Sequence, residues 1–151
     1  MHTLLRALLL AGAITLIGPP LGHSIDLAWP SPVAQAGGNG VGLHERRNRA
    51  QLTRWLGVDP ARTRWCGAYV AARLRALGKP LPRNALAVSA WRHWGRSVQP
   101  RPGVVAVFRH SHVGIVAAVR PGCVLVTSGN DSNAIRTRCR RPSSIASYRW
   151  M

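Results

Sequence analysis

Three residues whose side chains can carry nucleophilic acyl chemistry stand far apart in the chain, in the order Cys66, His112 and Asn130. A thiol can attack a carbonyl carbon. An imidazole can take the thiol proton and later protonate a leaving amine, while an amide oxygen holds the ring in one tautomer. Cys66 opens a stretch readable as a helix over residues 66–77, with Gly78 as its stop. Free backbone N–H groups and the positive end of the helix dipole would then surround its sulfur, surroundings that can lower a cysteine pKa from about 8.5 into a range of roughly 3.5 to 7.5. A thiolate is therefore the expected state of Cys66. The competing reading of a lone cysteine ahead of an apolar helix is a small buried hydrophobe.

Positioning such distant residues requires a folded frame, and the pattern supplies helices first and strands afterwards. Residues 45–56 read as a helix stopped by Gly57, residues 66–77 as a second and residues 84–94 as a third capped by Gly95. Strand-like runs follow at 104–108, 112–119, 123–128, 134–139 and 145–150. That order predicts an α+β domain, with N-terminal helices packed on a C-terminal antiparallel meander of about five strands. His112 opens the second run and Asn130 follows the third, so the turn at Arg120-Pro121-Gly122 brings both to one edge of the sheet. A helix packed with its N-terminus over that edge would deliver Cys66 to His112.

The other two cysteines flank the turn Gly129-Asn130-Asp131-Ser132-Asn133. If the runs 123–128 and 134–139 pair symmetrically, Cys123 and Cys139 face each other at a separation of about 4.5–5.5 Å, within disulfide range. Cys66 would be left as the single free thiol. The same register sets Arg136 and Arg138 on the face of Val124, Val126 and Asn130, so either a bulge shifts the ladder or arginines border the site.

Lys+Arg number 21 against 4 Asp+Glu, a formal net charge of +17, and Lys79 is the only lysine. So few acids exclude a glycosidase carboxylate pair and carboxylate-rich Mg or Ca sites. The cationic surplus predicts an anionic partner. No helix-turn-helix, zinc-finger or RNP pattern accompanies it, so a specific nucleic-acid role is not expected. Residues 1–36 read as a signal peptide: Arg6 precedes an apolar run over 7–17, and Ala34-Gln35-Ala36 offers a small-x-small cleavage site. Residues 37–41 form a flexible lead-in, and 42–151 a single hydrolase-like domain. The expected location is periplasmic or secreted, with no stable membrane insertion after cleavage and a monomeric state.

Five ordered blocks carry a family resemblance: Trp65 to Val70, Pro100 to Phe108, Ser111 to Gly114, Gly129 to Asn133, and Tyr148-Arg149. At these residues the chain resembles the CHAP-type cysteine, histidine-dependent amidohydrolases and peptidases, related to NlpC-type cell-wall hydrolases, and within them an exported branch. The resemblance covers roughly residues 42–149. It implies a papain-like α+β fold and hydrolysis of amide bonds in peptidoglycan, while the arginine surplus makes peptidoglycan or another anionic cell-envelope polymer the expected partner. Cys66 is then the nucleophile, His112 the base and Asn130 the orienting group, with an oxyanion hole at backbone amides around the start of the Cys66 helix. Many CHAP domains carry a glutamate two positions before the asparagine, and this chain has Ser128 there. Gly67 replaces a bulkier small residue of the closer relatives, a change expected to be harmless.

Other residues carry weaker expectations. Trp65 and Ser111, beside the nucleophile and the base, are candidates for substrate contact. His110 is an alternative base. An H-x-H pair without further ligands at metal spacing is a poor zinc signal, so neither metal nor cofactor is expected. Trp91 and Trp94 read as core, and His44 and His93 as surface.

Overall fold

The computed structural model describes residues 40–151. The expected signal segment 1–36 and residues 37–39 of the lead-in lie outside the described residues. Helix α1 (Arg49–Leu56) buries Leu52 and Leu56, one turn apart, and ends at Gly57, whose φ of 73° closes it through N–H to the Thr53 carbonyl at 2.9 Å. Helix α2 (Cys66–Arg75) is buried on nearly every side, which explains its run of small and apolar residues. It stops two residues short of expectation, and Arg73 near its end is buried. Helix α3 is only Val88–Arg92, because residues 84–87 form a turn that leaves Ala87 extended.

Six strands form one antiparallel sheet: β1 (Arg96–Ser97), β2 (Val105–Phe108), β3 (Val113–Arg120), β4 (Cys123–Ser128), β5 (Arg136–Arg140) and β6 (Ile145–Trp150). Their order is β1-β6-β2-β3-β4-β5. Strands β2 to β5 meander as expected, whereas β6 returns to the far side of β2, and β1 adds a short edge strand beyond the five expected. On a flat sheet β5 and β6 would lie four spacings, or about 19 Å, apart. The steps from Arg140 to Ile145, through the 3-10 turn Pro142–Ser144, do not reach that far. The sheet therefore curls. Arg140 of β5 accordingly lies 5.6 Å over the Phe108 ring of β2.

Alternation along the strands builds two apolar layers. Val105, Val107, Val113 and Ile115 pack against the helices with Leu52, Val70, Leu74 and Trp91. On the concave side Val104, Ala106, Phe108, Val116, Val124, Val126 and Ile145 fill the curl. Burial of this kind contributes about 25 cal/mol per Å² of apolar surface. Helix α2 packs chiefly on β3, the contact that places its first turn near the start of that strand.

The β4–β5 ladder differs from the symmetric pairing by two residues. Leu125, not Cys123, is opposite Cys139, and Val124, Val126 and Ser128 are opposite Arg140, Arg138 and Arg136. A shift of two preserves which side chains share a face. Cys123 and Cys139 are thus diagonal neighbours on one face, with Cα atoms 5.5 Å apart and their sulfurs joined. Thr127 and Thr137 exchange a 2.7 Å hydroxyl hydrogen bond on that same face.

Candidate active site

Cys66 begins α2 behind Trp65, which occupies the cap position without a side-chain cap, so no side chain claims the amides of the first turn. Backbone amides of Val113, Gly67 and Cys66 itself favour the thiolate, and the Arg64 guanidinium adds to them. Burial outweighs them all. The residue is 5% exposed, and its thiol is pushed up from the ordinary cysteine value, chiefly by desolvation. The thiolate expected from a helix N-terminus is therefore corrected to a neutral thiol. Part of the cause is the chain at residues 84–87, which crosses this first turn. A Cβ on Gly67 would lie 2.7 Å from the Leu86 carbonyl oxygen and closer still to that of Ala85. Gly67 is thus not an innocent replacement, since it lets that segment settle onto the helix.

His112 immediately precedes β3, and the Val113 amide that favours the thiolate is its chain neighbour. Cys66 therefore lies at the end of β3 that His112 precedes, although among the described residues no hydrogen bond joins thiol to imidazole. His112 Nε2 instead meets Ser128 Oγ at 2.9 Å, and the ring lies 5.3 Å from that of Phe108. Burial pulls the His112 pKa below its ordinary value of 6.5; Arg140 and Arg64 push the same way, while Asp131 opposes them. The imidazole is neutral at pH 7. In the tautomer that donates Nε2–H to Ser128, Nδ1 keeps a lone pair, the arrangement a general base requires.

Ser128 can reach the ring because Gly114 leaves space. A Cβ on Gly114 would stand 2.9 Å from the Ser128 Cβ and 2.8 Å from the Thr127 carbonyl oxygen. Ser128 is fully buried. Asn130, expected to orient the ring, has no side-chain hydrogen bond among the described residues. Its φ of 56° takes the chain out of the strand conformation, so the alternation that projects Ser128 toward His112 does not continue to Asn130. The contact to the ring seen here thus falls on Ser128, at the position two before the Asn130 expected to orient it. Asn130 lines, with His112, His110, Phe108 and Arg140, a cleft of about 320 Å³ that does not include Cys66.

Arginines do border this site, and β4–β5 has no bulge. Arg140 and Arg138 both ion-pair with Asp131, the latter at 3.4 Å, and Arg138 also donates to Ser132 Oγ at 3.2 Å. Among the described residues, Asp131 is the acid whose charge reaches His112.

The remaining candidates divide by exposure. Trp65 is fully buried, donates from Nε1 to Glu45 at 3.4 Å and packs beneath Gly129, so it is core and not a substrate wall. Ser111 and His110 are exposed, and His110 lines the cleft. Ser128 and Asp131 join the site without standing among the residues expected to form it. Ser128 could have been found from the diagonal neighbour rule, since positions two apart across a ladder share a face. The Asp131 pairing could not, because it depends on where three left-handed residues, Asn130, Ser132 and Asn133, turn the chain.

The family model of the CHAP domain matches residues 58–130, a span that holds Cys66, His112, Ser128 and Asn130. No curated protein and no solved structure matches the chain. CHAP domains are cysteine- and histidine-dependent amidohydrolases and peptidases. A thiol at a helix N-terminus, a neutral histidine at the adjoining strand and an α+β frame between them agree with that match, and residues 58–130 are consistent with a domain of the CHAP superfamily.

Proposed function

We propose that the protein is an exported hydrolase of peptidoglycan amide bonds, with Cys66 as nucleophile and His112 as general base. The observation that carries this reading is the neutral imidazole joined at Nε2 to Ser128, at the start of the strand whose Val113 amide meets the Cys66 thiol on an uncapped helix start. As the sulfur attacks a carbonyl carbon, its proton passes to Nδ1 of His112, and the Cys66 and Gly67 amides are the donors at hand for the oxyanion that forms. Collapse of that intermediate breaks the C–N bond, and the imidazolium returns the proton to the departing amine. Water then attacks the thioester with His112 again as base, releasing the acid and restoring the thiol. Asn130, in the cleft beside His112, contacts substrate. The wall as target is supported by the signal-like segment 1–36, the arginine surplus and the family's chemistry.

A second reading has its own support: the buried thiol with its raised pKa suits a catalytically silent envelope-binding module of the same fold. Mass spectrometry of purified sacculi and soluble muropeptides after incubation separates the two. Amide-cleaved products from the wild type, lost in Cys66→Ala, support the hydrolase; no products from either preparation refute it.

A further inference from the structure

We propose that a groove lined by Arg47, Arg136 and Arg138 is a binding site for oxyanion groups carried on an anionic polymer, set beside the cleft of His112. The groove measures about 380 Å³. It forms where the chain after Gly40 pairs briefly with the segment ahead of β5: the Gly42 amide donates to the Ile135 carbonyl and the Ile135 amide to that of Leu43, both at 2.9 Å, with a bridge between His44 and Ala134. Beyond that bridge the outer edge of β5 has no strand partner among the described residues, and its face carries the arginines.

Charge accounting within the described residues points to an external partner. Their acids are Glu45, Asp59 and Asp131. Asp59 is held by Arg49 and Arg62, Asp131 by Arg138 and Arg140, and Glu45 accepts from Trp65 Nε1. Arg47 and Arg136 make no ion pair or side-chain hydrogen bond among the described residues. Two uncompensated guanidinium groups and a third shared with Asp131 converge on one concavity. Each fork matches a carboxylate or phosphate in two parallel hydrogen bonds, a geometry that ammonium groups do not supply. One small ion would satisfy one fork, so several forks in a row call for several linked oxyanions. Arg138 joins the two concavities: it lines the groove, while its partner Asp131 lines the cleft with His112. A polymer held in the groove is thereby held next to the cleft.

The test is binding of fluorescent oligophosphate and oligo-α-glutamate of matched charge, read by anisotropy at low ionic strength, to the full protein. Two doubles remove equal charge: Arg47→Gln with Arg136→Gln in the groove, and Arg83→Gln with Arg120→Gln on exposed surface outside it. Hydrogen bonds to charged groups make each groove arginine worth about tenfold, so the groove double is expected to weaken binding about 100-fold and the control double only about threefold or less. The oligomer bound more tightly identifies the oxyanion as phosphate or carboxylate, and equal binding marks a general oxyanion site. Equal weakening by the two doubles, or no binding of either oligomer to the wild type, overturns the proposal. The readout needs no turnover, so it stands or falls apart from the hydrolase reading.

Discussion

Replacing Ser128 with alanine tests whether a neutral hydroxyl holds the catalytic ring. Ser128 is fully buried and its Oγ lies 2.9 Å from His112 Nε2, so the variant leaves a partly buried ring nitrogen without this partner. Such a loss costs about 1–3 kcal/mol. If that cost falls on the transition state, kcat/KM drops about 5- to 150-fold at roughly tenfold per 1.4 kcal/mol, with KM little changed. The assay is turnover of a soluble muropeptide across pH. Activity of a general base rises as the imidazole loses its proton. Because burial holds the His112 pKa below 6.5, the acid limb of the wild type falls below that value. In Ser128→Ala burial persists and the limb stays low. In Ser128→Asp a carboxylate within hydrogen-bonding reach stabilises the imidazolium, and the limb moves up by about 1–3 pH units. If Ser128→Ala keeps kcat/KM within about twofold while Asn130→Ala loses it, Asn130 is the orienting group and the argument from Ser128 fails.

Other perturbations read other parts of the site. Iodoacetamide should modify Cys66 slowly at neutral pH and faster as pH rises, with Cys123 and Cys139 labelled only after reduction; fast neutral labelling of Cys66 would contradict its raised pKa. Gly67→Ala forces a Cβ against the Ala85 and Leu86 carbonyls and should destabilise the fold by about 1–3 kcal/mol, seen as a lower Tm in calorimetry. An unchanged Tm would show that residues 84–87 do not press on the helix. Asp131→Asn removes the charge that supports the imidazolium, so the acid limb should move to lower pH, and a move upward would refute that coupling.

The sequence makes some of this frame plain and conceals the rest for physical reasons. Periodicity and glycine stops locate α1 and α2, and the run 123–128 coincides with β4, because burial on one face leaves a pattern. The position of His112 ahead of β3 follows from the same logic. The β4–β5 register does not, since a shift of two leaves every residue on its original face and so leaves no trace in hydrophobic alternation. Nor does the neutral state of Cys66, which depends on a remote segment, residues 84–87, crossing the helix start. The exchange of Asn130 for Ser128 at the ring turns on a left-handed φ at Asn130, a conformation that asparagine permits but does not dictate.

The bond between Cys123 and Cys139 also bears on how faithfully the chain oxidises. Three thiols allow three single pairings, and only one leaves the nucleophile free. The native pair closes a loop of 16 residues. The two wrong pairs would join Cys66 across separations of 57 and 73 residues. Loop-closure entropy varying as (3/2)RT ln n favours the short loop over either long one by about seven- to tenfold while the chain is still unfolded. Folding then removes the remaining hazard, because the sulfur of Cys66 withdraws into the interior while the other two stay near the surface. The burial that makes Cys66 a slow nucleophile also keeps it out of thiol exchange, so wherever the chain meets an oxidant the correct pairing is selected first by proximity and afterwards by inaccessibility.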